Sequence, residues 1–201
     1  MYAQYGCGDI APEGWLNFDA SPTLRFERLP VLGRFYSRNE HRFPVNVRYG
    51  DIVKGLPIPL GSCAAIYCSH VLEHLALEDF DAALSNTFGH LKYGGTFRLV
   101  VPDIAALVER YRADGDAMAF IEATGMGQVH RPRGVRGLVA WLGNSAHRWM
   151  WDEKAMANKL RAHGFADIRR AQCGDAEDGR FSEVERLDRF IDALAMQCRR
   201  H

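Results

Sequence analysis

Gly6-Cys7-Gly8 closes one short β-rich run, Asp19 closes a second, Gly50-Asp51-Ile52 follows a third and Cys68-Ser69-His70 ends a fourth. Glycines after a first strand let the backbone approach a ligand closely, and a carboxylate at the next strand end can accept hydrogen bonds from both hydroxyls of a ribose. Asp51 is suited to accept the amino group of an adenine, and Ser69 and His70 supply polar groups beside the same edge. In open α/β sheets ligands bind beyond the carboxyl ends of the strands, so type and position agree at four successive ends. Each piece alone has a bland counterpart, because Gly-x-Gly is also a tight turn and Gly-Asp a common one.

Two other groups could do chemistry. His70-Val71-Leu72-Glu73-His74 matches H-x-x-E-H, in which a continuous helix sets two imidazoles on one face with a glutamate as base. Here the match begins at a strand end, so no metal is expected, and His74 reads as a structural histidine. The stretch Ala123 to Trp151 holds Arg131, Arg133, Arg136 and Arg148 with His130 and His147, and no carboxylate. Such arginines could clamp a phosphate or carboxylate, or form a solvated basic loop. Trp141, Trp149 and Trp151 could wall a pocket or pack in a core. His70 and His147 are candidate general bases, since imidazole titrates near neutrality.

Positioning these residues requires alternating strands and helices. β-Rich runs span 2–5, 15–18, 45–49, 64–68, 96–101, 167–172 and 192–198, with Pro102 expected to stop the run that begins at Thr96. Helical spacing marks Glu78 to Lys92 and Glu153 to His163, the latter with Asp152 to cap it and Gly164 to end it. That alternation argues for an α/β fold with a mostly parallel sheet. Residues 21–44 and 123–151 read as covering segments on a single domain, 1–201.

The ordered set Gly6-Cys7-Gly8, Gly14 to Asp19, Gly50-Asp51, Ile66 to Leu75 and Leu91 to Gly95 resembles the class I S-adenosylmethionine-dependent methyltransferases, most closely their type 11-like branch. The resemblance continues through His147 to Asp152 and Ala162 to Phe165 and covers nearly the whole chain. It implies a Rossmann-like sheet of seven strands with helices on both faces and a final antiparallel strand near Asp192 to Cys198. It also implies S-adenosyl-L-methionine as cofactor. Gly6, Cys7 and Gly8 would wrap its methionine part, Asp19 would hold the ribose, Asp51 and Ile52 would flank adenine, and Ser69 and His70 would face the sulfonium and methyl region. Arg131, Arg133, Arg136 and Arg148 would border the acceptor.

The chain departs from that pattern at Cys63, Ala64 and Tyr93, where phenylalanine, aspartate and proline are usual. The interval from Gly8 to Asp19 is also too short for the usual crossover helix, which leaves the cofactor site more open.

Equal totals of 25 basic and 25 acidic residues exclude a global field toward nucleic acid or an anionic membrane. Five scattered cysteines with no CxxC suggest neither disulfides nor a cysteine zinc site, and a reducing cytoplasm is expected. The expected partner is a small-molecule acceptor, anionic or sugar-linked, with oxygen, nitrogen and carbon all open as the methylated atom. The competing readings are a non-catalytic cofactor-binding module, a zinc hydrolase at His70–His74, and a nicotinamide oxidoreductase. For the last, Ala11 stands where the third glycine of G-x-G-x-x-G belongs and the spacing to Asp19 is short.

Overall fold

The computed structural model describes residues 1–30, 42–127 and 146–201. Its centre is β5 (Leu91–Pro102), in which the side chains of Phe97, Leu99 and Val101 point to one face and Arg98 and Val100 to the other, all buried. Burial on both faces is what makes such a run read as continuously apolar. Around it lie β1 (Tyr2–Tyr5), β2 (Leu16–Asp19), β3 (Val47–Tyr49), β4 (Cys63–Ser69), β6 (Phe165–Arg170) and β7 (Ala193–Arg200), in the order β3-β2-β1-β4-β5-β7-β6. The first five pair in parallel; β7 runs antiparallel to both β5 and β6.

One face is covered by α2 (Leu77–His90) and α5 (Glu153–Ala162), whose Phe80, Leu84, Met156 and Leu160 meet Ile66, Phe97, Leu99 and Met196 in the main core. Asp152 caps α5 by accepting from the Ala155 N–H at 2.7 Å, and Gly164 follows it at φ 88°, as the end signals require. On the other face Trp15, Tyr67 and Val100 pack against Phe181 and Val184 of a 3₁₀ segment, Gly179–Glu183. Arg98, 1% exposed, lies under this layer and donates to Glu185, Asp175, Gln197 and the Gln172 carbonyl.

Three further helices were not singled out by periodicity: α1 (Pro22–Glu27), α3 (Ile104–Asp114) and α4 (Ala117–Ala123). Their start signals are nonetheless in the sequence, since Ser21, Asp103 and Asp116 each cap one. Two boundaries also move. Helix α2 stops at His90, not Lys92, because Leu91 already pairs with Cys63; the next pair is Ala65 with Thr96, so Lys92 to Gly95 bulge outward. Pro102 closes β5 as its last paired residue, opposite Ala193.

As expected, no helix joins β1 to β2. Two buried amides hold the loop instead. Gln4 Nε2 donates to Asn17 Oδ1 and to the Ile10 carbonyl, and Asn17 Nδ2 donates to the carbonyls of Pro12 and Trp15. Among the described residues no helix is long and apolar enough to cross a membrane.

Candidate active site

The carboxyl ends of β1 to β4 open into one cleft of about 690 Å³, within the range of small-molecule sites. Gly6, Asp19, Asp51, Ile52 and His70 all line it.

Gly6 and Gly8 turn the chain at φ 67° and 56°. A Cβ on Gly6 would meet Val71 Cγ2 at 2.0 Å, so only glycine lets the β1 end pass Val71. The Gly8 N–H donates to Asp19 Oδ2 at 3.1 Å and the Ser21 N–H donates to Oδ1 at 2.7 Å. Both Asp19 oxygens are thereby fixed, and each keeps a lone pair for a further donor. Burial pushes this carboxyl above the usual carboxylate range, while the two N–H bonds hold part of that rise back.

Cys7 points away from the cleft into a small cluster with Leu24 and Val47. Burial, and then the nearby Asp19 carboxylate, push its thiol up to about 12, so it is a packing residue rather than a nucleophile. Ser69 lines a separate narrow cavity with Gly6, Cys7 and Arg189, and its hydroxyl is buried with no hydrogen-bond partner.

Asp51 Oδ1 accepts from the Val53 N–H at 3.1 Å and Oδ2 lies 3.3 Å from Lys54 Nζ, so the carboxylate also organises its own turn. The Ile52 carbonyl beside it accepts from Asn86 Nδ2 of α2 at 2.8 Å. Behind them a Cβ on Gly50 would stand 2.7 Å from the Phe18 ring.

His70 takes a left-handed backbone, φ 54°. Its Nε2 lies 2.9 Å from the Arg189 carbonyl and its Nδ1 3.3 Å from Glu73 Oε1. Burial disfavours the imidazolium, but the Glu73 carboxylate and the Arg189 carbonyl outweigh it and raise the pKa. The residues that follow form only a three-residue 3₁₀ turn, Leu72–His74. His70 and His74 therefore do not share one face of a continuous helix, and the peptidase geometry of H-x-x-E-H is absent.

His147 lies outside the cleft lining but close behind it, with Nδ1 2.7 Å from the Thr124 carbonyl and Nε2 4.0 Å from Glu73 Oε1. Arg148 is exposed, and its N–H donates to the Glu73 carbonyl at 2.7 Å. Arg131, Arg133 and Arg136, with His130 and Trp141, lie outside the described residues. Trp151 is core, stacked on Phe80 at 4.3 Å between ring centres, and Trp149 is half-exposed. Ser21, Lys54, Val71 and Asp79 also line the cleft and were not singled out from sequence. Ser21 was findable as the cap of α1, whereas Val71 acts only by its shape against Gly6.

Residues 19–99 match the methyltransferase domain family. Among solved structures, the chain is similar to a SAM-dependent methyltransferase of Thermotoga maritima, a possible histamine N-methyltransferase, with TM-score 0.54 and 14% identity over 100% of this chain and 81% of that one. A SAM-dependent methyltransferase of Archaeoglobus fulgidus gives TM-score 0.53 and 16% identity over 99% and 85%. PigF, solved with SAH, gives TM-score 0.51 and 14% identity over 99% of this chain and 50% of its own. At such identities the likeness is one of fold. No curated protein matches the chain. The seven-stranded order of the described strands, with β7 antiparallel, thus gives the chain the fold of these S-adenosylmethionine-dependent methyltransferases, and residues 19–99 match a methyltransferase domain.

Proposed function

We propose that residues 1–201 form one domain that transfers a methyl group from S-adenosyl-L-methionine, bound in the cleft, to a small-molecule acceptor. The observation that carries this reading is Asp19: a buried carboxylate fixed by two backbone N–H groups, with acceptor capacity left over, between the left-handed Gly6 and Gly8 and the 690 Å³ cleft. That is the donor-hungry, close-approach surface a ribose and its neighbouring chain require.

In this reading the backbone of Gly6, Cys7 and Gly8 wraps the methionine part, the Cys7 side chain serving only to pack beneath. Asp19 binds the ribose, Asp51 and Ile52 flank adenine, and Ser69 and His70 border the methyl region. The cofactor supplies a methyl activated by its sulfonium; the protein aligns the acceptor and keeps water out. His70 Nε2 faces the Arg189 carbonyl and Nδ1 lies beside the Glu73 carboxylate, so neither ring nitrogen is free to take a proton from the acceptor and the imidazole is a poor general base. The acceptor in this reading is anionic or sugar-linked, with exposed Arg148, and Arg131, Arg133 and Arg136, as its clamp.

Calorimetric titration with S-adenosylmethionine and S-adenosylhomocysteine tests the reading. Saturable binding of both is expected, with Asp19→Ala weakening it tenfold or more, about the 1.4 kcal/mol of one lost buried hydrogen-bond partner. No binding of either compound to wild type refutes it. Binding without turnover across acceptor classes would leave a cofactor-binding module in its place.

A further inference from the structure

Glu73 is 0% exposed, and neither carboxylate oxygen has a hydrogen-bond partner. Buried carboxyl groups are almost always satisfied by several donors, so two orphaned oxygens demand an explanation. The groups facing them are imidazoles. His70 Nδ1 lies 3.3 Å from Oε1 without hydrogen-bond alignment, and His147 Nε2 lies 4.0 Å from the same oxygen. One donor atom each from Glu73, His74 and His147 lie within 4.8 Å of one another, and the two histidine rings meet edge to face at 4.9 Å.

We propose that Glu73, His74 and His147 form a site for a divalent first-row transition metal, zinc foremost, at the rim of the cleft. Two imidazoles and one carboxylate form a His₂Glu set, which leaves a fourth position open. The orienting contacts are already built. His147 Nδ1 faces the Thr124 carbonyl at 2.7 Å, leaving its Nε2 toward Glu73, and His74 Nδ1 faces the Ala146 carbonyl at 3.2 Å, the kind of outer hydrogen bond that fixes a ligating imidazole's tautomer. The backbone adapts to the same end. The N–H groups of Arg148 and Trp149 both donate to the Glu73 carbonyl, and Gly125 gives His147 its room, since a Cβ there would stand 2.5 Å from Nδ1. Three distant stretches of chain are thus tied together around one carboxylate. Donors bound to zinc at about 2.0–2.2 Å sit about 3.3 Å apart in a tetrahedron, so only side-chain adjustments separate these donors from coordination.

This differs from the H-x-x-E-H peptidase arrangement in two roles: Glu73 is a ligand, not a base, and the second imidazole is His147 rather than His70. His74 also lines the cleft, so the open position faces it. There the metal would bind a hydroxyl or carboxylate oxygen of the acceptor, a step that rests on the methyl-transfer reading, whereas the metal site itself does not.

The test uses metal-stripped full-length protein titrated with zinc alone, without cofactor, followed by elemental analysis after gel filtration. One zinc per chain is expected, with a rise in melting temperature on zinc addition. Glu73→Gln and His147→Ala should each weaken uptake at least tenfold and abolish that rise. Glu73→Gln should melt no lower than metal-free wild type, because a buried amide is less penalised than an unpaired carboxylate. Cobalt(II) should give visible absorption bands that shift when acetate is added. Substoichiometric zinc in wild type, or equal uptake by both variants, overturns the site; bands indifferent to acetate overturn its open position. S-adenosylmethionine affinity, read separately on metal-free protein, keeps the two readings apart, since its loss would sink methyl transfer and leave the metal untouched.

Discussion

Gly6 concentrates two constraints in one residue: a left-handed backbone and a 2.0 Å gap to Val71 for any added Cβ. Gly6→Ala should therefore lower unfolding free energy by about 2–4 kcal/mol in denaturant titration, from strain plus overpacking. Val71→Ala in that background should restore the overpacking part and leave the backbone part. Asp19 gives a second prediction. Its pKa is raised in the folded protein, so the cleft loses its acceptor as pH falls through a value above the usual carboxylate range. Cofactor affinity should weaken on that acid limb, and Asp19→Asn should be weak and flat across the same range in calorimetry. These residues were legible because each sits at a strand end, where local spacing and sheet geometry coincide. The proximity of Glu73 and His147 was not, for it depends on the 73 residues between them folding back.

At the scale of elements, what the sequence hides is where one pattern overrides another. Helical spacing continues through Leu91 and Lys92, yet pairing with Cys63 claims Leu91 for β5, and Gly94 at φ 73° absorbs the mismatch. The departure at Tyr93 falls in this bulge, 78% exposed, so a proline there is dispensable for the core. The helices α2 and α5 are joined by charge as well as packing. Lys159 Nζ reaches both oxygens of Asp81 at 2.8 Å, and His163 Nε2 lies 3.1 Å from one. Burial opposes ionisation of Asp81, but these partners prevail and lower its pKa. A depressed carboxyl stabilises the fold above its unfolded pKa and ceases to as pH falls through the folded value. Melting temperature should consequently fall more steeply below about pH 4 in wild type than in Asp81→Asn, with a small difference, since the pair is partly exposed.

Across the whole molecule the alternation of strands and helices announced a parallel α/β sheet correctly, whereas the covering of its second face was invisible. That face is not built by amphipathic helices alone; it depends on Arg98, which ties Glu185, Asp175 and Gln172 onto the central strand. Arg98→Met should cost about 3–5 kcal/mol by stranding Glu185, 1% exposed in its side chain, without a counter-charge. Replacing both, as Arg98→Met with Glu185→Leu, should recover much of the loss in chemical denaturation. The antiparallel β7 has an effect of another kind. It is inserted between β5 and β6, and among the described residues β6 hydrogen-bonds to no other strand. During synthesis, therefore, β1 to β6 are made before β7 can wedge into place, and until then the backbone N–H and C=O groups of β5 that β7 will pair form an open sheet margin. The yield of folded protein should hinge on how quickly the residues after Asp192 follow β6, making that interval the one in which a chaperone matters most.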